Sequence, residues 1–126
     1  AIFPPDAPVP RGDITADYLC DQPLLLYEGG NTRRLVDDWL RASGKRLQPV
    51  MELGSVEALK KLSQAGLGVA IVPSMAVQDE AASASLVIRS LSPRLERRLA
   101  LALRRDKHMT APLRALSALL SHRSEA

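Results

Sequence analysis

The stretch from Val50 to Ser74 most constrains what this chain can fold into. It begins with an apolar strand pattern that ends at Leu53, and a second apolar run, Val69 to Val72, comes before Pro73. Between these runs, apolar residues recur at helical spacing, at Val56, Leu59 and Leu62. Strand, helix and strand in this order form a βαβ crossover, which places the two strands parallel in one sheet. The stretch therefore predicts an α/β core.

The predicted helix between these two strands has residues typical of helix ends at both of its ends. Ser55 is a suitable N-cap, and Glu57 lies in the first turn, where the positive end of the helix dipole favours a carboxylate. Gly66 can adopt the left-handed conformation that ends a helix. These residues predict a helix from about Ser55 to Ala65.

Another strand and helix precede this unit. The apolar run Pro23 to Tyr27 is typical of a strand that is buried on both faces. Asn31 or Thr32 is predicted to cap the following helix, whose apolar stripe is Leu35, Val36, Trp39 and Leu40. Asp37 and Arg41 are spaced for an exposed i,i+4 ion pair. The order of elements is therefore β-α-β-α-β, the pattern of a doubly wound sheet.

The rest of the chain gives weaker patterns. Ile2 and Phe3 match the end of a strand, and a proline-rich connector follows them. Later patterns predict a helical turn within Ile14–Cys20, a short helix within Met75–Ala84 with Asp79 and Glu80 exposed, a strand at Leu86–Arg89, a turn at Leu91–Glu96, an alternating strand at Arg98–Leu103 and a closing helix at Thr110–Ser121.

Composition limits the classes of function. The chain has 126 residues with a 46% apolar share, which suits one compact domain. Lys and Arg exceed Asp and Glu by only 17 to 14, a weak argument for nucleic-acid binding. Cys20, the single cysteine, excludes an internal disulfide and fits a reducing cytoplasm. We see no bilayer-length apolar run and no signal-peptide pattern, and we expect a cytoplasmic α/β domain without membrane partners.

A search for catalytic signatures gives little. Neither His108 nor His122 has a second histidine or cysteine at ligand spacing, so no metal site is predicted. An acid–base pair of Glu28 and Glu52, near two strand ends, is one alternative, but loop and edge carboxylates are the simpler interpretation. We therefore predict a protein that is not an enzyme and that has no cofactor.

A binding site follows instead from the predicted topology. In an open α/β sheet, ligands bind beyond the carboxyl ends of the strands, where loops lead into helix N-termini. Here those loops are Glu28–Thr32, Leu53–Ser55 and Val72–Met75. Their backbone N–H groups and small hydroxyls suit a carboxylate or a similar anion. The alternative is that these residues are ordinary caps and turns.

The ordered motifs of the chain resemble a known family. The segments YEGGNTRRLVDDWLRASG, PVMELGSVEALKKLSQAGLGVAIVPSMAV and LVIRSLSPRLERRLALALRRDK are similar to the effector-binding domain of LysR-type transcriptional regulators. The resemblance implies a periplasmic-binding-protein-like (type 2) fold, with an effector in the cleft between two lobes. This chain would form mainly the second lobe, a three-layer α/β/α unit with a parallel-type sheet. The positions that match the effector-contacting loops are Gly30, Asn31, Thr32, Gly54, Ser55, Pro73 and Ser74.

The same resemblance divides the chain. Residues 1–22 match an inter-lobe crossing and connector, residues 23–99 the second lobe, and residues 100–126 the return crossing and a helix of the first lobe. The rest of the first lobe and a DNA-binding winged helix-turn-helix are expected before Ala1, so we interpret the chain as a fragment. We expect it to bind a small effector, to self-associate as a dimer or larger species, and to reach DNA only through that helix-turn-helix.

The function that the resemblance implies is effector sensing in bacterial transcription regulation, with a small anionic metabolite as the expected ligand. Two alternatives come from other classes, namely a solute-binding receptor of a transporter and a small α/β enzyme. The motifs leave open the identity of the effector, the target genes and the choice between activation and repression.

Overall fold

The computed structural model describes residues 1–122; residues 123–126, at the end of the predicted first-lobe segment, lie outside this range. The strands are β1 (Ile2–Phe3), β2 (Ile14–Thr15), β3 (Leu24–Tyr27), β4 (Met51–Leu53), β5 (Val69–Ala70), β6 (Val87–Ile88) and β7 (Leu91–Ser92). The α-helices are α1 (Ala16–Cys20), α2 (Gly30–Arg41), α3 (Val56–Gln64), α4 (Gln78–Ser83) and α5 (Ala111–His122), and a 3₁₀ turn spans Ser74–Ala76.

The main sheet has five strands in the order β4-β3-β5-β1-β6. β3 pairs parallel with both β4 and β5. The two strands of the predicted βαβ crossover are therefore parallel members of one sheet, with β3 between them, which confirms that prediction.

β1 makes the sheet a mixed one. It runs antiparallel to β5 and to β6, with Ile2 opposite both Ala70 and Ile88. The expected parallel-type sheet is therefore present in β3, β4 and β5, and β1 departs from it. These pairings join residues that are far apart in sequence, and local periodicity does not encode the direction in which such a strand enters a sheet.

Helices cover both faces of the sheet. Leu24 and Leu26 of β3 share a core cluster with Trp39 of α2, whereas Leu25 shares the opposite cluster with Leu59 of α3. Burying a leucine side chain of this kind contributes about 1.5–3 kcal/mol relative to leaving it exposed. The run from Pro23 is thus buried on both faces, as predicted, and the layers are α/β/α.

Gly68 permits the close approach of β5 to β3. The amide of Val69 donates to the carbonyl oxygen of Pro23 at 2.9 Å. A Cβ atom at Gly68 would lie 2.4 Å from that same oxygen and 2.9 Å from Cγ of Leu25. No side chain fits there without separating the two strands.

The two long helices of the sheet layers begin differently. Ser55 caps α3 as predicted, because its hydroxyl accepts a hydrogen bond from the amide of Ala58 at 3.2 Å. The prediction that Asn31 or Thr32 caps α2 is wrong, since α2 begins at Gly30 with Gly29 as its N-cap. Gly30 adopts a φ of +86°, a conformation open to glycine, and the chain enters the helix before either side chain.

The ion pairs on α2 also differ from the prediction. Asp37 does not pair with Arg41; its carboxylate accepts from Nε of Arg33 at 2.8 Å. Arg41 pairs with Asp38 at 2.6 Å instead. The Arg33 side chain is only 18% exposed, and a shielded pair of this kind is screened less by water than a fully exposed pair.

After Pro73 the predicted short helix and strand form as α4 and β6. Glu80 is not exposed as predicted, because its side chain is 20% exposed and contacts Nζ of Lys60 at 2.7 Å. Leu91–Ser92 is a strand rather than part of a turn, because it pairs parallel with Ile14–Thr15. Both differences come from partners that are distant in the sequence.

Residues 98–103 do not form the predicted alternating strand. Leu99, Leu101 and Leu103 are 70%, 50% and 45% exposed. A strand needs a neighbouring strand to satisfy its backbone hydrogen bonds, and no strand within residues 1–122 lies beside this segment.

The closing helix is confirmed as α5. Three of its leucines, Leu116, Leu119 and Leu120, are 53%, 67% and 48% exposed. Neither α5 nor any other helix among residues 1–122 combines the length and the apolar content needed to cross a membrane.

Candidate functional site

The carboxyl ends of the parallel strands meet at one edge of the sheet. β3, β4 and β5 run in one direction, and β6 shares that direction because β5 and β6 are both antiparallel to β1. The loops that follow β3, β4 and β5 therefore leave the sheet at the same edge. Open α/β sheets bind their ligands at this edge.

A cleft of about 860 Å³ opens there. Its walls come from the first turn of α2, the segment after β5, the end of β6 and the segment after β7. They include Thr32, Pro73, Ser74, Met75, Arg89 and Arg97. Small-molecule pockets typically have volumes of roughly 300–1,000 Å³, so the cleft is large enough for a metabolite.

The sequence-predicted site residues fall into two groups. Thr32, Pro73 and Ser74 line the cleft, whereas Gly30, Asn31, Gly54 and Ser55 do not. The Ser55 hydroxyl is occupied by its cap hydrogen bond, and Oδ1 of Asn31 accepts from Nη2 of Arg34 at 2.8 Å. A Cβ atom at Gly54 would lie 2.9 Å from Oε1 of Glu28, so this glycine makes room for that carboxylate.

The N-terminus of α2 provides positive potential at the cleft. The helix has 12 residues, and its N-cap Gly29 offers no side chain to the first-turn amides. The first amides of a helix have no partner within the helix, and the aligned peptide dipoles place partial positive charge at this end. Thr32 brings this turn into the wall of the cleft.

Arg97 is a cleft residue that no sequence motif indicated. Its Nη1 donates a hydrogen bond to Oγ1 of Thr32 at 3.3 Å, across 65 residues of sequence. Burial raises the pKa of Tyr27, and the nearby positive charge of Arg97 partly opposes that rise. Within residues 1–122, Arg97 takes part in none of the ion pairs, so its charge is not neutralised by a protein carboxylate.

Two other arginines of the cleft already have partners. Nε of Arg89 donates to the carbonyl of Pro10 at 3.1 Å, and its Nη1 donates to the carbonyl of Ile88 at 2.9 Å. Arg94 pairs with Glu96 at 3.2 Å. Arg89 therefore fixes the connector against β6 through two carbonyl hydrogen bonds, and Arg97 is the cleft arginine that, within residues 1–122, donates neither to a backbone carbonyl nor to a carboxylate.

Glu52, in β4, has a structural role. Glu52 contacts Nη1 of Arg33 at 2.8 Å, and the same guanidinium donates to the carbonyl of Tyr27. Arg33 thus joins α2 to β3 and β4, which favours the edge-carboxylate interpretation of Glu52 over an acid–base pair. No cluster of three or more His, Cys, Asp or Glu side chains in residues 1–122 is arranged to hold a metal ion.

Comparison with known proteins identifies the family. The profile of the LysR substrate binding domain matches residues 1–125. The chain belongs to the LysR substrate-binding-domain family. This membership confirms the resemblance that the NTRR, MELGS and AGLG motifs indicated, and the LysR substrate-binding domain implies a type 2 periplasmic-binding-protein-like fold.

Relatives of this LysR domain are named as regulators. The chain is 33% identical over 112 residues to the uncharacterized HTH-type transcriptional regulator YeiE of Escherichia coli K12, covering 87% of this chain and 38% of YeiE. It is 35% identical over 114 residues to the uncharacterized HTH-type transcriptional regulator YwqM of Bacillus subtilis, covering 90% of this chain and 37% of YwqM. A RuBisCO operon transcriptional regulator of Acidithiobacillus ferrooxidans is 35% identical over 77 residues, which are 60% of this chain and 25% of that protein. The matched part of the chain thus spans between 25% and 38% of the length of these curated relatives.

Proposed function

We propose that this chain is the effector-sensing part of a bacterial LysR-type transcriptional regulator, and that it binds a small anionic metabolite in the cleft. The family match supports the sensing role, and the names of YeiE and YwqM support regulation of transcription. In this proposal the regulator acts in the cytoplasm and contacts DNA through a helix-turn-helix that is not part of this chain.

The proposed division of the chain follows the two-lobed family architecture. Residues 23–99 form the second lobe, residues 1–22 provide a crossing and connector, and residues 100–126 return to the first lobe. The cleft would then lie between lobes. The exposed leucines at 99, 101 and 103 support this division, because their alternating pattern suits a strand that gains a partner in the other lobe.

The observation that carries the anion proposal is the pairing of Arg97 with Thr32 at the N-terminus of α2. An exposed helix N-terminus contributes roughly 0.3–1 kcal/mol toward a nearby anion. A hydrogen bond to a charged group contributes roughly 1.5–3 kcal/mol. A carboxylate or phosphate placed between Arg97 and the first turn of α2 would receive both contributions.

In this proposal, some of the other predicted site residues contact the ligand and some only position the elements around it. Thr32 and Ser74 contact the ligand through their hydroxyls, and Pro73 forms part of the wall. Gly30 and Asn31 shape the first turn of α2, whereas Gly54 and Ser55 position the neighbouring helix α3. Self-association through exposed apolar residues completes the proposal.

Titration of the 126-residue chain with matched anionic and neutral probes tests the proposal. Succinate and phenylacetate carry carboxylates, and succinamide and phenylacetamide are their neutral counterparts. We expect at least one carboxylate to bind about tenfold more tightly than its amide, because one charge-assisted hydrogen bond is at stake. Isothermal titration calorimetry measures both dissociation constants.

Arg97→Met and Arg98→Met provide the matched variants. Both remove one positive charge from the same exposed segment, but Arg98 does not line the cleft. We expect Arg97→Met to abolish the preference for the carboxylate and Arg98→Met to preserve it. Equal binding of acid and amide by the unmodified chain, or equal effects of the two variants, would contradict the proposal.

A further inference from the structure

Lys60 is a buried lysine with a complete set of polar partners. The residue lies on α3 and is 8% exposed. Its Nζ contacts Oε1 of Glu80 at 2.7 Å and Oε1 of Glu57 at 2.9 Å, and it donates to the carbonyl oxygen of Ala76 at 2.9 Å. Withdrawing an ammonium group from water is costly unless such partners compensate for the lost hydration. The arrangement therefore fixes where these partners lie.

The partners of Lys60 belong to different elements of the structure. Glu57 is one turn away on the same helix and is 71% exposed. Glu80 belongs to α4 and is 20% exposed, and Ala76 ends the 3₁₀ turn after β5. The contacts with Glu80 and Ala76 thus join two separate segments to α3, whereas the contact with Glu57 stays within α3.

The turn that Lys60 holds is a wall of the cleft. Pro73, Ser74, Met75 and Val77 all line it. The internal hydrogen bonds of the turn run from the amide of Ala76 to the carbonyl of Pro73 at 2.9 Å and from the amide of Val77 to the carbonyl of Ser74 at 3.3 Å. A single 3₁₀ turn has poor hydrogen-bond geometry and is weak by itself.

The turn has one apolar anchor and one polar anchor. Val77 is 5% exposed and shares a core cluster with Leu59 of α3, which fixes the end of the segment. Ser74 and Met75 are exposed and make no such contact with the core. The hydrogen bond from Lys60 to the carbonyl oxygen of Ala76 lies between these two parts and orients the peptide that joins Ala76 to Val77.

We propose that Lys60 is a positioning residue of the cleft, which holds the Ser74–Ala76 turn in the shape that receives the effector. This inference rests on the proposed function, because it assigns Lys60 a role in effector affinity without any contact between Lys60 and the effector. Lys60 does not line the cleft, so a change in affinity on its substitution would pass through the turn.

Lys60→Met and Lys61→Met form the matched pair for the test. Methionine preserves most of the buried hydrocarbon at position 60 and removes the ammonium group. Lys61 is the adjacent, exposed lysine of the same helix and takes part in none of the ion pairs of residues 1–122. Hydrogen exchange at the amides of Ala76 and Val77 reports on the turn, and calorimetry with succinate and phenylacetate reports on the cleft.

We expect Lys60→Met to speed exchange at Ala76 and Val77 about tenfold and to weaken carboxylate binding by a similar factor, since one charge-assisted hydrogen bond is lost. Lys61→Met should change neither quantity. Unchanged exchange in Lys60→Met, or faster exchange with unchanged affinity, would overturn the inference. If the unmodified chain binds neither probe nor distinguishes acid from amide, the proposed function has failed, and the exchange rates still decide whether Lys60 holds the turn.

A second pair covers the case in which Lys60→Met does not fold. Glu80→Gln removes the charge of the α4 carboxylate that holds Nζ of Lys60, and it leaves the Lys60–Glu57 pair in place. Glu57→Gln leaves the Lys60–Glu80 contact between α3 and α4 intact. We expect faster exchange at Ala76 and Val77 in Glu80→Gln than in Glu57→Gln. Equal exchange in the two variants would overturn the positioning role.

Discussion

Arg33 illustrates how a single side chain holds together the sheet edge at which the parallel strands end. Its guanidinium contacts Asp37 on α2 and Glu52 on β4, each at 2.8 Å, and it also donates to the carbonyl of Tyr27 at the end of β3. One planar group therefore satisfies two carboxylates and a backbone carbonyl on three elements. A lysine could not match this geometry, because its ammonium group is a single point of charge.

We expect Arg33→Met to lower the free energy of unfolding by about 2 kcal/mol, because it leaves Asp37 and the Tyr27 carbonyl without a partner in a shielded site. Arg34→Met is the control. Arg34 is exposed and contacts only Asn31 within the described chain, so its loss should change the free energy by less than about 0.5 kcal/mol. Urea denaturation measures both values, and equal effects would show that the Arg33 contacts contribute little.

Substitutions of Thr32 and Ser55 should separate an effect on ligand affinity from an effect on helix capping. Thr32 lines the cleft and accepts from Arg97, whereas the Ser55 hydroxyl caps α3 and does not line the cleft. We expect Thr32→Ala to weaken carboxylate binding by about 1 kcal/mol. Ser55→Ala should instead lower the free energy of unfolding by about 1 kcal/mol, the usual effect of a lost N-cap. Calorimetry and urea denaturation on both variants check this, and a weaker affinity in Ser55→Ala at unchanged stability would contradict the assignment.

At the residue scale, the sequence predicts some local interactions correctly and does not predict the distant ones. The Ser55 cap was predictable because donor and acceptor lie three residues apart. The Arg97–Thr32 contact and the Lys60–Ala76 contact join residues that no spacing rule connects. The cap of α2 was mispredicted for a different reason, since Gly30 with its positive φ begins the helix before Asn31 and Thr32.

At the scale of elements, periodicity identified most of the helices and the parallel strands. It failed where an element depends on a distant partner. Leu91–Ser92 forms a strand because it pairs with β2, and residues 98–103 alternate like a strand yet have no paired neighbour within residues 1–122. An alternating sequence specifies which face is apolar, but pairing decides whether a strand exists.

The Lys60–Glu80 ion pair, which is the tie between α3 and α4, should contribute to stability in a pH-dependent way. The contact with Lys60 is the main cause that holds the pKa of Glu80 below its usual value, and Lys61 adds a smaller effect. The contacts with Glu80 and then Glu57 raise the pKa of Lys60. A lowered carboxyl pKa stabilises the fold above the unfolded pKa, and this contribution is lost as the pH falls through the folded pKa. The raised lysine pKa stabilises the fold at lower pH and is lost only in strongly alkaline solution.

We therefore expect the free energy of unfolding to fall as the pH drops from about 5 to about 3, and Glu80→Gln to reduce this fall. Asp79→Asn is the control, because it removes the same charge from the same helix at an exposed position outside the tie. Urea denaturation at both pH values measures the difference. A pH dependence in Glu80→Gln equal to that of the unmodified chain would show that the tie does not contribute to acid sensitivity.

At the scale of the whole molecule, exposed leucines are concentrated after residue 98 of the described chain. Leu99 and Leu101 lie in the extended segment before α5, and Leu116, Leu119 and Leu120 lie on α5. Exposed apolar surface of this kind marks an interaction site or an aggregation hazard. A helix as short as α5, with 12 residues, is marginal in water without packing against a partner.

We expect the chain to form a dimer or a larger species at micromolar concentration, with the leucines of α5 in the contact. Leu116→Glu should shift the population toward the 13.7 kDa monomer, because it places a carboxylate in an apolar contact at a cost of several kcal/mol. Leu67→Glu is the matched control, since Leu67 is 44% exposed but follows α3, far from α5 in the sequence, and its substitution should leave the population unchanged. Sedimentation velocity across a concentration series measures all three species. A monomer at every concentration for the unmodified chain would refute self-association, and an equal shift in both variants would place the contact elsewhere than on α5.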